Sequence, residues 1–163
     1  MKKFGALLLG TVLAAVSVVA PTRDAIAQAP PAGVLASAEF SNDPNLRCDI
    51  LEVKRASGGA LNIRWRVVNT TGQPGGLTGA QGKRIGYSFG WDQIYFIDPA
   101  ENKKYAFLKD SGGNRILQVY EGYYEPGQQR VNWAKFPAPP ASSQKISIYI
   151  PNFPPFEDIP VSQ

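Results

Sequence analysis

Alternating apolar and polar residues in the middle of the chain predict β-strands. The clearest run is 61–67 (LNIRWRV), in which the odd-numbered residues are apolar and the even-numbered residues are polar. A period of two places the apolar residues on one face of a strand. The preceding run, 48–53, alternates in the same way but slips at residues 50 and 51, which predicts a β-bulge. The segment 57–59 (SGG) between the two runs predicts a hairpin turn.

Short strands of the same kind continue to the end of the chain, separated by Gly-rich and Pro-rich turns. The further predicted strands are 34–40, 93–97, 104–109, 115–120, 131–136, 145–150 and 156–161. Residues 93–97 are apolar on both faces, which predicts a covered central strand. Trp65 and Trp133 stand in alternating runs, so both are expected in the core. About seven or eight short strands with almost no helical periodicity predict an all-β sandwich, with a small barrel as the alternative.

Two segments of biased composition interrupt the strand pattern, 72–90 and 137–163, and the second holds seven of the fourteen prolines. Residues 72–90 hold seven of the sixteen glycines and predict a long loop. Residues 110–114 (DSGGN) predict a tight hairpin turn. A calcium-binding loop is the alternative there, but the acidic residue that ends a calcium loop is missing.

The first 27 residues have the order of a signal peptide. Lys2 and Lys3 precede an uncharged apolar run, 4–20, and small residues lead to a cleavage site between Ala27 and Gln28. An uncleaved membrane anchor is the alternative, although 17 apolar residues are at the lower limit for a membrane span. We therefore expect a periplasmic or secreted protein with no transmembrane segment after cleavage. The mature chain divides into 28–45, a flexible lead-in and first strand, and 46–163, the sandwich domain.

Charge and composition narrow the function. Cleavage removes three basic residues and one acidic residue, which lowers the net charge from +4 to +2 and argues against a nucleic-acid partner. The chain has no His, which excludes a Ser-His-Asp relay and a His metal site. Its single cysteine, Cys48, excludes an intramolecular disulfide; it is either a small buried residue or an exposed thiol. We expect no cofactor and no metal.

Residues 92–161 resemble a known kind of domain. The segments that carry the resemblance are Asp98-Pro99, Lys103-Lys104-Tyr105, Leu108-Lys109-Asp110, 133–140 (WAKFPAPP) and 154–160 (PPFEDIP). Their order resembles an uncharacterised immunoglobulin-like β-sandwich domain of bacterial exported and envelope proteins, with a DUF4352-type layout, which also occurs ahead of OmpA-like domains. The run 61–69 is similar to the early hairpin of that family.

The resemblance covers roughly residues 46–161 and implies an immunoglobulin-like sandwich and an envelope location. It implies no catalytic residues. The chain departs from the family by its Gly-rich insertion at 72–90 and by having no OmpA-like domain after residue 161, so peptidoglycan binding is not implied.

Aromatic and basic residues are the candidate contact residues. Rings on loops and edges stack on sugars or anchor protein partners, whereas rings in a sandwich also build its core. Arg64 and Arg66 share the polar face of one predicted strand, and with Lys83-Arg84 and Lys103-Lys104 they predict a weak anion-binding patch; a solvated sheet face is the alternative. The candidate partner-binding residues are Tyr120, Tyr123, Tyr124, Trp91, Tyr87, Arg64 and Arg66.

Catalysis has little basis in this sequence. Paired carboxylates of a glycosidase are the remaining option, and the close candidates are Glu121, Glu125, Glu157 and Asp158. Sandwich surfaces carry such residues without catalytic use. The sequence therefore predicts a non-catalytic envelope module that binds an unknown envelope protein or glycan, with a carbohydrate-binding or carbohydrate-active module as the alternative.

Overall fold

The computed structural model describes residues 32–72, 82–88, 90 and 93–163. The predicted signal peptide, its cleavage site at Ala27 and Gln28, and the candidate contact residue Trp91 lie outside these residues. No helix in the described part of the chain is long and apolar enough to cross a membrane.

The described residues form eleven strands and confirm the all-β sandwich. A five-stranded sheet has the order β1-β2-β3-β9-β7, a four-stranded sheet has the order β11-β10-β5-β6, and β4 pairs with β8. All neighbouring strands are antiparallel. The strands are β1 (Ala36–Phe40), β2 (Asp43–Ala56), β3 (Ala60–Asn69), β4 (Ile85–Tyr87), β5 (Tyr95–Asp98), β6 (Lys103–Tyr105), β7 (Leu117–Gln118), β8 (Gly122–Tyr124), β9 (Gln129–Pro137), β10 (Lys145–Tyr149) and β11 (Phe156–Pro160).

The β2–β3 hairpin confirms the strongest sequence pattern. Ile50 pairs with Trp65 and Glu52 pairs with Arg64, which leaves Leu51 as the extra residue of the predicted bulge. The predicted turn is also present, and Gly58 and Gly59 have φ angles of 74° and 72°. Side chains other than glycine rarely adopt this left-handed region, so the turn depends on both glycines.

The core lies between the two large sheets. Trp65 and Phe136 come from the five-stranded sheet and Phe96 from the four-stranded sheet; all three are fully buried. The rings of Phe96 and Phe136 meet edge to face across the sandwich, with centroids 5.5 Å apart. Cys48 is also fully buried, which confirms it as a small core residue, and burial raises the pKa of its thiol well above the ordinary value.

Two segments in the C-terminal part of the chain tie the two sheets together. The Pro-rich segment after β9 crosses to the four-stranded sheet, and the Arg55 guanidinium donates hydrogen bonds of 2.6 Å to the carbonyls of Pro139 and Pro140. After β11 the chain crosses back, because Ser162 forms a parallel bridge with Lys54 on β2.

The strands around β5 differ in detail from the predicted ones. β5 is an inner strand of its sheet, as predicted, but its outer face is only half-covered, since Tyr95 and Ile97 are partly exposed. The predicted strands 104–109 and 115–120 are shorter and meet in a bridge between Lys109 and Arg115. β4 and β8 were not predicted; β4 lies inside the predicted loop 72–90.

Candidate functional site

The small β4–β8 sheet determines which of the candidate tyrosines reach the surface. Tyr124 pairs with Ile85 and points inward, whereas Tyr123 pairs with Gly86 and points outward. The fully buried Asn69 fixes this sheet to the end of β3: its side-chain nitrogen donates to the carbonyls of Lys83, at 2.6 Å, and Tyr124, at 2.8 Å. The orientation of Tyr123 is therefore set by buried hydrogen bonds.

Tyr87 and Tyr124 are core residues, so for these two candidate contact rings the alternative, core packing, is the one found. Tyr87 is 3% exposed and packs against Phe40 and Phe153, with ring centroids 5.4 Å away in each case. Its hydroxyl donates to the carbonyl of Pro151, and burial raises its pKa. Tyr124 is fully buried, and burial raises its pKa to about 12. Both rings close the sandwich at the β4–β8 sheet.

Tyr123 is an exposed ring held from one side by an arginine. It is 57% exposed, and the Arg84 guanidinium carbon lies 4.1 Å from its ring centroid. Arg84 also forms a 2.9 Å ion pair with Glu125, in which both side chains are mostly in water. A Cβ at Gly86 would lie 3.2 Å from the Tyr123 ring, so the close fit of ring and strand depends on a glycine.

Tyr120 and Trp133 are joined through one side-chain amide. The Trp133 indole Nε1 donates to Gln118 Oε1 at 3.0 Å, and Gln118 Nε2 donates to the Tyr120 hydroxyl at 2.6 Å. Tyr120 is 39% exposed, and the Arg130 guanidinium carbon lies 5.6 Å from its ring centroid. Gln118 thus fixes the polar edges of both rings.

Trp133 is not a core residue, so the prediction that placed it there is wrong. Asn132, Ala134 and Phe136 point into the sandwich, which leaves Trp133 half-buried on the outer face of β9. Asn132 is accommodated inside because its Oδ1 accepts a 2.8 Å hydrogen bond from the Tyr120 backbone N–H. A buried, bonded asparagine therefore reverses the strand orientation that the apolar residues alone suggest.

The two candidate arginines of β3 have different environments. Arg66 binds Asp49, a fully buried carboxylate that also accepts hydrogen bonds from Arg47, at 2.8 Å, and from Ser37, at 2.7 Å. Burial would raise the pKa of Asp49, but these hydrogen bonds lower it below its ordinary value. Arg64 is exposed and is the direct β3 neighbour of Trp133. It forms no ion pair with any acidic side chain that the structure describes.

The predicted anion-binding patch is not one patch. Lys103 and Lys104 lie on β6 in the four-stranded sheet, whereas Arg64 and Arg66 lie on β3 in the five-stranded sheet. Lys83 is paired with Asp43 at 2.7 Å. Of the cations in that predicted patch, Arg84 lies against Tyr123 and Arg64 is the strand neighbour of Trp133.

The exposed apolar residues lie close together along the chain. Four large hydrophobic side chains are exposed in the part of the chain that the structure describes, and three of them, Tyr120, Tyr123 and Val131, lie within residues 120–131. A shallow groove between Tyr120 and Val131 is also lined by Gln129 and Arg130. We define the aromatic–arginine surface as Tyr120, Tyr123, Trp133, Arg64, Arg84 and Arg130.

The segment considered as a calcium-binding loop, residues 110–114, has the hydrogen bonds of a tight turn. Asp110 accepts hydrogen bonds from the backbone N–H groups of Asn114, at 2.8 Å, and Gly112, at 2.9 Å, as a tight turn requires. These bonds, first that of Asn114, lower the pKa of its carboxyl. Within the described residues, no group of three or more acidic or cysteine side chains is placed to hold a metal ion.

The four carboxylates considered for catalysis are also divided. Glu157 and Asp158 belong to β11 of the four-stranded sheet, whereas Glu121 and Glu125 flank β8 of the two-stranded sheet. Glu125 is paired with Arg84, and Asp158 lies 3.6 Å from Lys145.

Comparison of the chain with protein-family models, with curated proteins and with solved structures gives no match. The function is therefore argued from the geometry of this surface.

Proposed function

We propose that this chain is a non-catalytic, exported binding module that contacts a cell-envelope protein or glycan through the aromatic–arginine surface. The signal-peptide pattern of residues 1–27 supports export, and the family resemblance supports an envelope location. The proposal invokes no cofactor and no nucleic acid.

The grouping of exposed apolar side chains within residues 120–131 is the observation that carries the proposal. Three of the four exposed large hydrophobic side chains of the described residues fall within residues 120–131. Contiguous exposed apolar side chains mark interaction sites, and Tyr120 and Val131 line one shallow groove. Tyrosine, tryptophan and arginine are also the residue types that dominate binding hot spots.

The rings are positioned before any partner arrives. Gln118 fixes Tyr120 and Trp133, and Arg84 lies against Tyr123. Rings that are already fixed lose little conformational entropy on binding, so more of the contact energy contributes to affinity.

The test replaces Tyr120 and Tyr123 together with serine and measures what the immobilised protein captures from an envelope extract. Truncating a hot-spot ring costs about 2 kcal/mol, so we expect recovery of the main partner to fall at least about tenfold. Leu35→Ser is the matched control, because Leu35 is the fourth exposed hydrophobic side chain and lies outside residues 120–131. Equal recovery by the double variant and the control would contradict the proposal.

Carbohydrate binding is the second candidate, and the position of Trp133 favours it. A half-buried indole on a sheet face, beside an amide and an exposed arginine, is suited to a sugar ring. Digesting the extract with protease before capture separates the two partner classes. A carbohydrate-active enzyme is less well supported, because its four carboxylates are divided between β11 and the flanks of β8.

A further inference from the structure

We propose that the part of the aromatic–arginine surface around Trp133 binds an acidic polysaccharide, a chain of sugar rings that carry carboxylate groups. The inference rests on the proposed function and names the ligand class for one part of that surface. It depends on Trp133, Tyr120 and Arg64, and not on Tyr123.

The rings provide the stacking part of this site. Trp133 and Tyr120 are bonded to opposite ends of the same Gln118 amide, at 3.0 and 2.6 Å, so their relative orientation is fixed. The negative face of an aromatic ring attracts the C–H groups on the face of a sugar. The Tyr120 hydroxyl accepts from Gln118 and keeps its own proton to donate to a sugar oxygen.

Arg64 provides the charged part. It is exposed, lies next to Trp133 across the strand pair, and forms no ion pair with the described acidic residues. Glu52 is its neighbour on β2, but the two side chains are not within ion-pair distance. A guanidinium with free N–H groups binds a carboxylate through two parallel hydrogen bonds.

The charge around this site favours an anion. Lys135 lies two residues from Trp133 on the same outer face of β9. Asp49, a buried carboxylate of the same sheet, is bound by both Arg47 and Arg66, so that group carries a net positive charge. Glu52, the β2 neighbour of Arg64, is outnumbered by Arg64 and Lys135 on this face. A neutral glycan would leave Arg64 unused, and an anionic polymer without rings would leave Trp133 and Tyr120 unused.

The experiment titrates the purified protein by calorimetry with polygalacturonate, with methyl-esterified polygalacturonate and with polyphosphate. The ester keeps the sugar chain and removes the charge, whereas polyphosphate keeps the charge and lacks the rings. We expect saturable binding of polygalacturonate that weakens as salt is added, and binding at least about tenfold weaker for the other two.

Matched variants locate the site. Arg64→Gln is expected to weaken polygalacturonate binding about tenfold, because it removes hydrogen bonds to a charged group. Lys104→Gln is the control, because it removes the same charge from an exposed cation beside a ring, Tyr95, on the four-stranded sheet. Trp133→Phe keeps a ring but loses the bond to Gln118, and a thermal melt verifies its fold. We expect it to weaken binding severalfold.

Four outcomes would overturn the inference. The first two are that the ester or the polyphosphate binds as tightly as polygalacturonate. The third is that Arg64→Gln and Lys104→Gln bind polygalacturonate with the same affinity, and the fourth is that no polymer binds. If no polymer binds while capture from extract still depends on Tyr120 and Tyr123, the inference fails and the proposed function remains.

Discussion

The outer faces of the two large sheets both carry rings and cations, but they arrange them differently. On the four-stranded sheet, Tyr95 and Tyr149 stack on each other with centroids 4.6 Å apart and an angle of 11° between the rings. Lys104 lies 3.7 Å from the Tyr95 ring centroid. Tyr95 thus lies between a ring and a cation, both from its own sheet.

On the five-stranded sheet, the rings do not stack on each other. Trp133 and Tyr120 are held through their polar edges by Gln118. Arg64, the neighbour of Trp133, is exposed and has no described acidic partner. Rings fixed at their edges keep more of their faces for a ligand than rings stacked on each other, so the five-stranded face is the better binding surface.

The largest expected effect is a loss of stability when the buried carboxylate Asp49, on the outer side of the five-stranded sheet, is removed. Asp49→Asn removes the carboxylate that compensates Arg47 and Arg66. Breaking a fully buried ion pair costs about 3–5 kcal/mol, and we expect about 2 kcal/mol here because both arginines keep part of their surface in water. Urea unfolding measures the loss.

Glu52→Gln is the control for that prediction. Glu52 lies on the same strand and the same face, but it is only half-buried and forms no ion pair with a cation of the described residues. Its loss is expected to change the free energy of unfolding by less than about 0.5 kcal/mol. Equal losses for the two variants would show that Asp49 has no special role in this face.

The same carboxylate gives a pH dependence of known sign. The hydrogen bonds to Asp49 lower its pKa in the folded protein, so the folded state favours the charged form. Its contribution to stability is complete above the unfolded pKa of about 3.9 and is lost as pH falls through the lower folded pKa. We expect the stability difference between the wild type and Asp49→Asn to shrink between about pH 4 and pH 2.

Urea titrations at several pH values measure that difference. Other carboxyls with lowered pKa values, such as Asp43 and Asp110, contribute equally to both proteins and cancel. Nearly all surface carboxyls are protonated at about pH 2. If the stability difference between the wild type and Asp49→Asn stayed constant down to that pH, the assignment of Asp49 as the charged partner of Arg47 and Arg66 would be contradicted.

The sequence predicts the fold well where one strand carries a long regular pattern. The alternation in 61–67 predicts β3. The slip at residues 50 and 51 of the preceding run predicts the bulge in β2, and Gly58-Gly59 predicts the turn between the two strands. Each of these features depends on neighbours in the chain, which is why the local pattern is sufficient.

The pattern fails where distant residues decide. Residues 131–136 contain two alternating sets of side chains. The set that contains Asn132 faces inward, because the backbone N–H of Tyr120, in the segment after β7, donates a hydrogen bond to the Asn132 side chain. β4 and β8 have three residues each, too few for a periodic signal, and the Asn69 side chain holds them in place. The sequence made Tyr120, Tyr123 and Tyr124 equal candidates for exposure, and it gave no signal for the Gln118 bridge between Tyr120 and Trp133.

The stacked pair of the four-stranded sheet offers a smaller effect that sharpens the comparison. A double-mutant cycle with Tyr95→Ala and Tyr149→Ala is expected to give a coupling energy of about 1 kcal/mol, because the rings contact each other directly. Tyr95 is on β5 of the four-stranded sheet, whereas Tyr120 follows β7 of the five-stranded sheet. The losses in free energy of unfolding caused by Tyr95→Ala and Tyr120→Ala should therefore add to within about 0.5 kcal/mol. A coupling near zero for Tyr95 and Tyr149 would remove the contrast between the two faces.

The smallest effect concerns Arg84 and Glu125, and it decides whether Arg84 belongs to the binding surface. Their ion pair is short, at 2.9 Å, but the two side chains are 58% and 61% exposed. Exposed pairs contribute little because water screens them and ordering two long side chains costs entropy, so a cycle with Arg84→Ala and Glu125→Ala should give less than about 0.5 kcal/mol. A weak pair leaves Arg84 able to exchange Glu125 for an acidic group of a partner. A coupling above about 1 kcal/mol would instead make Arg84 a structural residue and restrict the surface to Arg64 and Arg130.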